Sequence, residues 1–206
     1  MLHSDWIGLS GLALVWMLLL QYLPLVSRLP LLKRLLLLLV SYGVVMLPVF
    51  GLSLAGWLRG MVGDLSIISL LLLASALWVR LRKSENSLWS ERDRHFLLLV
   101  VSVFALLLYP FALGISLFDP YRLGFASIVF IVALAALVAW AIYRGLVLLP
   151  LALSLAVLAW SQQIYESTNL WDYLIDVPLA LYAIAAILMS LFSQIRRGKR
   201  VQTKPK

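Results

Sequence analysis

The sequence predicts an all-α polytopic membrane protein: a bundle of about seven transmembrane helices, N-terminus outside and C-terminus cytoplasmic. Three observations carry that expectation. Of 206 residues, 64% are hydrophobic and 13% are charged, and the mean hydropathy is +1.02. An ordinary globular domain is roughly 45–50% apolar and about 25% charged, and a chain this short cannot hide the excess in one core. The apolar residues also come in long unbroken runs, which excludes a barrel, whose strands alternate. Finally, the basic residues gather on alternate connections between those runs, as the positive-inside rule requires.

A helix crosses the roughly 30 Å hydrocarbon layer with about 20 residues. Seven windows meet or approach that length: 6–26, 35–58, 65–79, 96–118, 123–143, 146–164 and 177–195. The first carries no charge, and the third is short. Residues 123–164 form a 42-residue stretch with one charge, Arg144. As one helix it would be about 63 Å long, twice the bilayer core. It must fold back, and Tyr143, Arg144 and Gly145 supply the turn. The stretch 35–79 must likewise reverse once, and the polar, glycine-containing run 59–64 offers the place.

No basic n-region or small-residue cleavage site marks the start as a secretory signal, and the first basic residue, Arg28, follows the first window. With the N-terminus outside, four segments lie inside: 27–34, 80–95, 143–145 and the tail. They carry 3, 5, 1 and 6 Lys and Arg, 15 of the 17, leaving only Arg59 and Arg122 outside. No linker or internal repeat divides the chain. Residues 1–195 read as a single transmembrane domain and 196–206 as a basic cytoplasmic tail.

The middle of each window lacks Asp, Glu, Lys, Arg and His, the usual signs of an ion pathway. Serines such as Ser41, Ser75, Ser102 and Ser154 are the polar groups at depth, and they are expected to bond back to their own helices. Asp5, Asp64, Asp119 and Asp176 each precede a window that enters from outside. An Asp there accepts backbone N–H bonds and complements the helix dipole, so these four are read as caps. The mixed-charge loop 80–95 reads as a solvated connection.

One segment looks chemically purposeful. Residues 162–173 combine amides, carboxylates and aromatics on the outer face, and Arg122 is on the same side. Amides and acids hydrogen-bond sugar or headgroup hydroxyls, aromatic rings stack on them, and Arg pairs with phosphate. Arg122, Tyr165, Glu166, Asn169, Trp171 and Asp172 are therefore the candidate ligand or partner site. The same residues also admit a plainer reading. Tyr165, Trp171 and Tyr173 suit an aromatic belt, and Asn169 with Asp172 resembles a variant capping box.

No zinc pattern, nucleophile elbow or phosphate-cradling glycine loop is present, and cysteine is absent. The sequence thus nominates no catalytic residue, metal or cofactor and leans away from an enzyme. The expected setting is a bacterial inner (plasma) membrane. Expected partners are anionic lipid headgroups at the cytoplasmic face and a membrane enzyme, with no nucleic acid. A non-catalytic subunit or accessory factor of an envelope enzyme or assembly leads. A lipid or small-solute carrier or flippase, and a small intramembrane enzyme acting on a lipid or glycan at the outer face, stand as alternatives.

Overall fold

The computed structural model describes residues 2–49, 51–114 and 119–202, with the side chains of 2–5, 195 and 197–202 outside the description. Among these residues the chain is mostly helical. In order run α1 (Leu2–Leu20), α2 (Pro24–Arg28), α3 (Leu31–Met46), α4 (Leu54–Val62), α5 (Ile67–Leu81), α6 (Glu91–Ala112), α7 (Ile128–Tyr143), α8 (Leu148–Ser161), α9 (Trp171–Leu174) and α10 (Val177–Gln202). A two-residue hairpin, β1 (Pro48–Val49) with β2 (Leu52–Ser53), separates α3 from α4, and Pro120–Gly124 forms a 3-10 turn. Glu91–Ala112 and Val177–Gln194 are long and apolar enough to cross a membrane, whereas Trp6–Leu20, Ile67–Leu81, Ile128–Tyr143 and Leu148–Ser161 are shorter apolar helices.

The second window differs from expectation. It is broken at Pro48, which lacks the N–H that α3 would need and forces Leu47 into the extended region (φ −67°, ψ 129°). The antiparallel pairs Pro48–Ser53 and Val49–Leu52 then reverse the chain, with Gly51 at φ +90°. The turn between α7 and α8 forms where expected. Gly145 adopts φ +66°, its N–H donates to Ile142 O at 2.9 Å, and Leu146 N–H donates to Ala141 O at 2.9 Å. That double bond is the Schellman arrangement, which satisfies the last carbonyls of a helix. Lys83 and Gln163, at φ +52° and +49°, close α5 and α8 in the same way.

Serines, more than aspartates, start the helices. Ser53, Ser66 and Ser90 accept the N–H of Gly56, Ser69 and Asp93 respectively. Asp64 is therefore not the cap of α5; two residues too early, it pairs with Arg59 instead, at 2.7 and 2.9 Å. Asp119 caps the 3-10 turn through Tyr121 N–H rather than α7, whose N-cap position is Ser127. Asp5 lies within α1, not before it, and its side chain is outside the described residues. Only Asp176 acts as expected, accepting Leu179 N–H at 2.8 Å. Ser41, Ser75 and Ser102 return their hydroxyls to the carbonyls of Leu38, Leu72 and Leu98.

Helix α8 is the hub. Ala152, Ala156 and Ala159 line one buried face, and these small side chains let α5, α6 and α7 approach closely. Around it a main core joins α5 to α10, and α10 lies along α6. A smaller cluster links α1, α3 and α4 through Leu12, Ala13, Val45 and Ala55.

Buried charges tie the helix ends on one side of this bundle, the basic end. Arg34, 2% exposed, donates to Gln21 Oε1 and to the carbonyls of Arg80 and Leu81, closing the C-terminus of α5 with a side chain from α3. Asp93 corrects the reading of 80–95 as merely solvated. It is 9% exposed, and its Oδ1 accepts Val147 N–H at 2.7 Å and Leu148 N–H at 3.2 Å. A residue of α6 thus caps α8. Asp93→Ala should cost about 2–3 kcal/mol by orphaning both donors, and Asp93→Asn, which keeps one acceptor oxygen, about half as much. Thermal unfolding in detergent of the two variants beside the unmodified chain checks the order; equal melting of all three would refute the inter-helix cap.

Candidate functional site

At the opposite end of the bundle, the loop end, the segment before α7 meets the segment after α8. The 3-10 turn leaves carbonyls that its short hydrogen-bonding pattern cannot use. Two side chains from the facing loop take them. Asn169, fully buried, donates from Nδ2 to Tyr121 O at 2.9 Å, and Trp171 donates from Nε1 to Pro120 O at 2.9 Å. Leu170 N–H adds a backbone bond to Gly124 O, also at 2.9 Å. Gly124 makes this docking possible: a Cβ there would lie 1.7 Å from Asn169 Oδ1. The other face of Asn169 accepts Trp171 N–H at 2.9 Å, so one amide orders both strands of the contact.

The indole of Trp171 reaches into the core, edge-on to Phe104 at 5.3 Å and tilted against Phe130 at 4.5 Å. Asp172 accepts the Tyr121 hydroxyl at 3.0 Å and the Ser167 hydroxyl. Deeper in, Tyr165 donates to Leu65 O at 2.7 Å and stacks on Tyr173, whose hydroxyl accepts Tyr165 N–H at 3.0 Å and donates to Ser167 O at 2.9 Å. Asp176, 6% exposed, accepts Ser66 N–H at 2.7 Å and the Ser69 hydroxyl, binding the start of α5 to the start of α10.

These contacts set the electrostatics. Burial pushes the Tyr121 phenol up to about 12, helped by the charge of Asp172 and the bond to it. Burial likewise raises Tyr165 and Tyr173, the latter against the stabilising backbone bond from Tyr165. All three are neutral donors at physiological pH. Among the described residues no group of three or more His, Asp or Glu side chains gathers to hold a metal.

The six sequence-nominated residues therefore divide. Asn169, Trp171 and Asp172 contact the 119–124 segment that carries Arg122, while Tyr165 packs deeper, on Tyr173 and Leu65. Their polar atoms are used within the fold, and Tyr165, Trp171 and Tyr173 are buried rather than arranged as an exposed belt. Arg122 and Glu166 are exposed, and among the described residues Arg122 forms no ion pair with Glu166 or Asp172. Sequence reasoning missed Gly124, Ser167 and the hydroxyl of Tyr121; the signal was a glycine and a tyrosine beside a proline turn.

No family model matches this chain, and no curated protein or solved structure matches it either. Its chemistry has to be read from its own geometry.

Two outcomes follow from the docking. Gly124→Ala should lower stability by about 1–3 kcal/mol through overpacking, whereas Gly60→Ala, at a helical site with nothing within 4 Å, should be neutral or stabilising. Melting temperatures of the pair read the contrast, and equal shifts would contradict it. Because the fold favours neutral Tyr121, its stabilisation is complete below pH 10 and is lost as pH rises toward 12. Tyrosinate absorbance of the unmodified chain minus that of Tyr121→Phe should show a phenol titrating near pH 12, and a difference complete by pH 10 would contradict it.

Proposed function

We propose that this chain is a multi-pass inner-membrane protein of seven spans and a non-catalytic accessory subunit, whose loop end is a preformed periplasmic docking platform. The membrane placement is supported by the bundle surface. Ile128, Val129 and Val132 on α7, Leu36, Leu39 and Val40 on α3, and Leu181, Met189 and Phe192 on α10 are each more than half exposed. Contiguous apolar surface of that extent is costly in water and ordinary in lipid. The orientation rests on the division of basic residues, with 15 of 17 on segments assigned to the cytoplasm.

The observation that carries the platform is the contrast within the loop end. A buried set is bonded internally, and Arg122, Phe125 and Glu166 lie exposed on the two segments that it joins. Preorganised exposed groups bind a partner's loop or a headgroup at a lower entropic cost than a flexible loop would. The enzyme alternative is weaker because Asp172 is already engaged by Tyr121 and Ser167. The carrier alternative has less support, since the middles of the seven sequence windows hold no ionisable group of the kind that marks an ion pathway.

Single cysteines at Ser167 and Ser84 test the placement, since the native chain has none. An impermeant thiol reagent should label Ser167→Cys in spheroplasts and Ser84→Cys only after lysis; the reverse would end the orientation. For the platform, a stoichiometric partner should survive mild-detergent purification of the unmodified chain. Arg122→Glu with Glu166→Lys should release it without changing the melting temperature. Retention of the partner in that double variant would overturn the platform.

A further inference from the structure

A second feature runs between α1, α5, α6 and α10, from Ser69 near the loop end to Arg80 at the basic end. It is a cavity of about 600 Å³, within the range of small-molecule and cofactor sites. Its walls are apolar: Leu18 of α1, Leu72 and Ala76 of α5, Leu97 of α6 and Leu179 of α10 all contribute. Along α5 it extends from Ser69 to Arg80, roughly 16 Å of helix, or about half the thickness of a bilayer core.

The polar groups of this cavity are not evenly spread. Ser69 at one end is occupied by Asp176. At the other, the basic end, Arg80 and Arg94 both line it, against a single acid, Glu85. The Arg80 guanidinium lies over the Tyr22 ring, 4.1 Å from its centroid, and an Arg94 nitrogen lies 3.5 Å from the Tyr182 hydroxyl. Neither arginine forms an ion pair among the described residues. Trp89 also contributes to the wall at this end, its indole N–H buried and without a hydrogen-bond partner among the described residues.

An apolar trough about half a bilayer deep, ending in two cations, has the chemical profile of one kind of molecule. We propose that the cavity binds a single anionic glycerophospholipid, with its phosphate between Arg80 and Arg94 and one acyl chain against α1, α5, α6 and α10. Arginine pairs with phosphate oxygens in bidentate fashion. A free anion would leave the apolar walls wet, and a neutral lipid would leave the charges unmatched. The site rests on the membrane placement proposed above, but on neither the accessory role nor the loop-end platform.

Native mass spectrometry of the full chain in detergent micelles tests it, with dioleoyl phosphatidylglycerol, dioleoyl phosphatidylcholine or glycerol 3-phosphate added at equal concentration. The expected result is one retained phosphatidylglycerol per chain, at least about ten-fold tighter than phosphatidylcholine, and no retained glycerol 3-phosphate. The double variant Arg80→Gln, Arg94→Gln changes exposed side chains, so its fold can be verified by an unchanged melting temperature. It should reduce phosphatidylglycerol retention to the phosphatidylcholine level, while Arg82→Gln, outside the lining, should not. Ala76→Phe, which fills the trough, should weaken both lipids. Equal retention of the two lipids, unaltered retention in the arginine double variant, or glycerol 3-phosphate binding as tightly as the lipid would each overturn the proposal. The cysteine labelling pattern separately reports whether the membrane placement itself has failed.

Discussion

Every helix begins with N–H groups and ends with carbonyls that it cannot bond within itself. In a chain that is 64% hydrophobic there are few side chains to answer them. This shortage organises the structure. Three buried charged residues each serve a helix other than their own: Arg34 of α3 closes α5, Asp93 of α6 opens α8, and Asp176 before α10 joins the opening of α5. Desolvating a charge is expensive unless it is fully hydrogen-bonded, and each of these three is met by at least three polar groups. Helix termination and helix packing are therefore the same set of contacts.

The loop end obeys the same economy. A 3-10 turn, an amide and an indole exchange donors and acceptors until little backbone polarity is left over. Its rigidity comes from satisfying buried groups, and whatever it offers to a partner comes from the residues left outside that exchange. The cavity at the basic end is the complementary case. There two arginines face a single acid, Glu85, and neither forms an ion pair among the described residues.

How much of this was legible depended on how many solutions the sequence allowed. The turn at Gly145 was readable because 123–164 contains one charge and one glycine able to reverse the chain. The meeting of 119–124 with 162–172 was readable too, since both flank the α7–α8 hairpin. The break at Pro48 was passed over because hydropathy across 35–58 stays high and a run of leucines says nothing about the N–H that proline lacks. Asp64 against Ser66 was undecidable, as either residue type caps a helix and only the true start chooses between them. Tyr165 and Trp171 were placed on the right segment but on the wrong side of it, because aromatics with one polar atom suit an interface belt and a buried anchor equally well. Arg34 and Asp93 escaped as buried caps, since their partners are far off in sequence.

The bond from Ser66 N–H to Asp176 spans 110 residues. Its two ends leave the ribosome far apart in time, so α5 is made well before the carboxylate that accepts its Ser66 N–H. A chain interrupted before residue 176 would leave Ser66 N–H and the Ser69 hydroxyl without that acceptor. The start of α5 is therefore completed by the start of α10, so a residue late in the chain finishes a contact laid down near its middle.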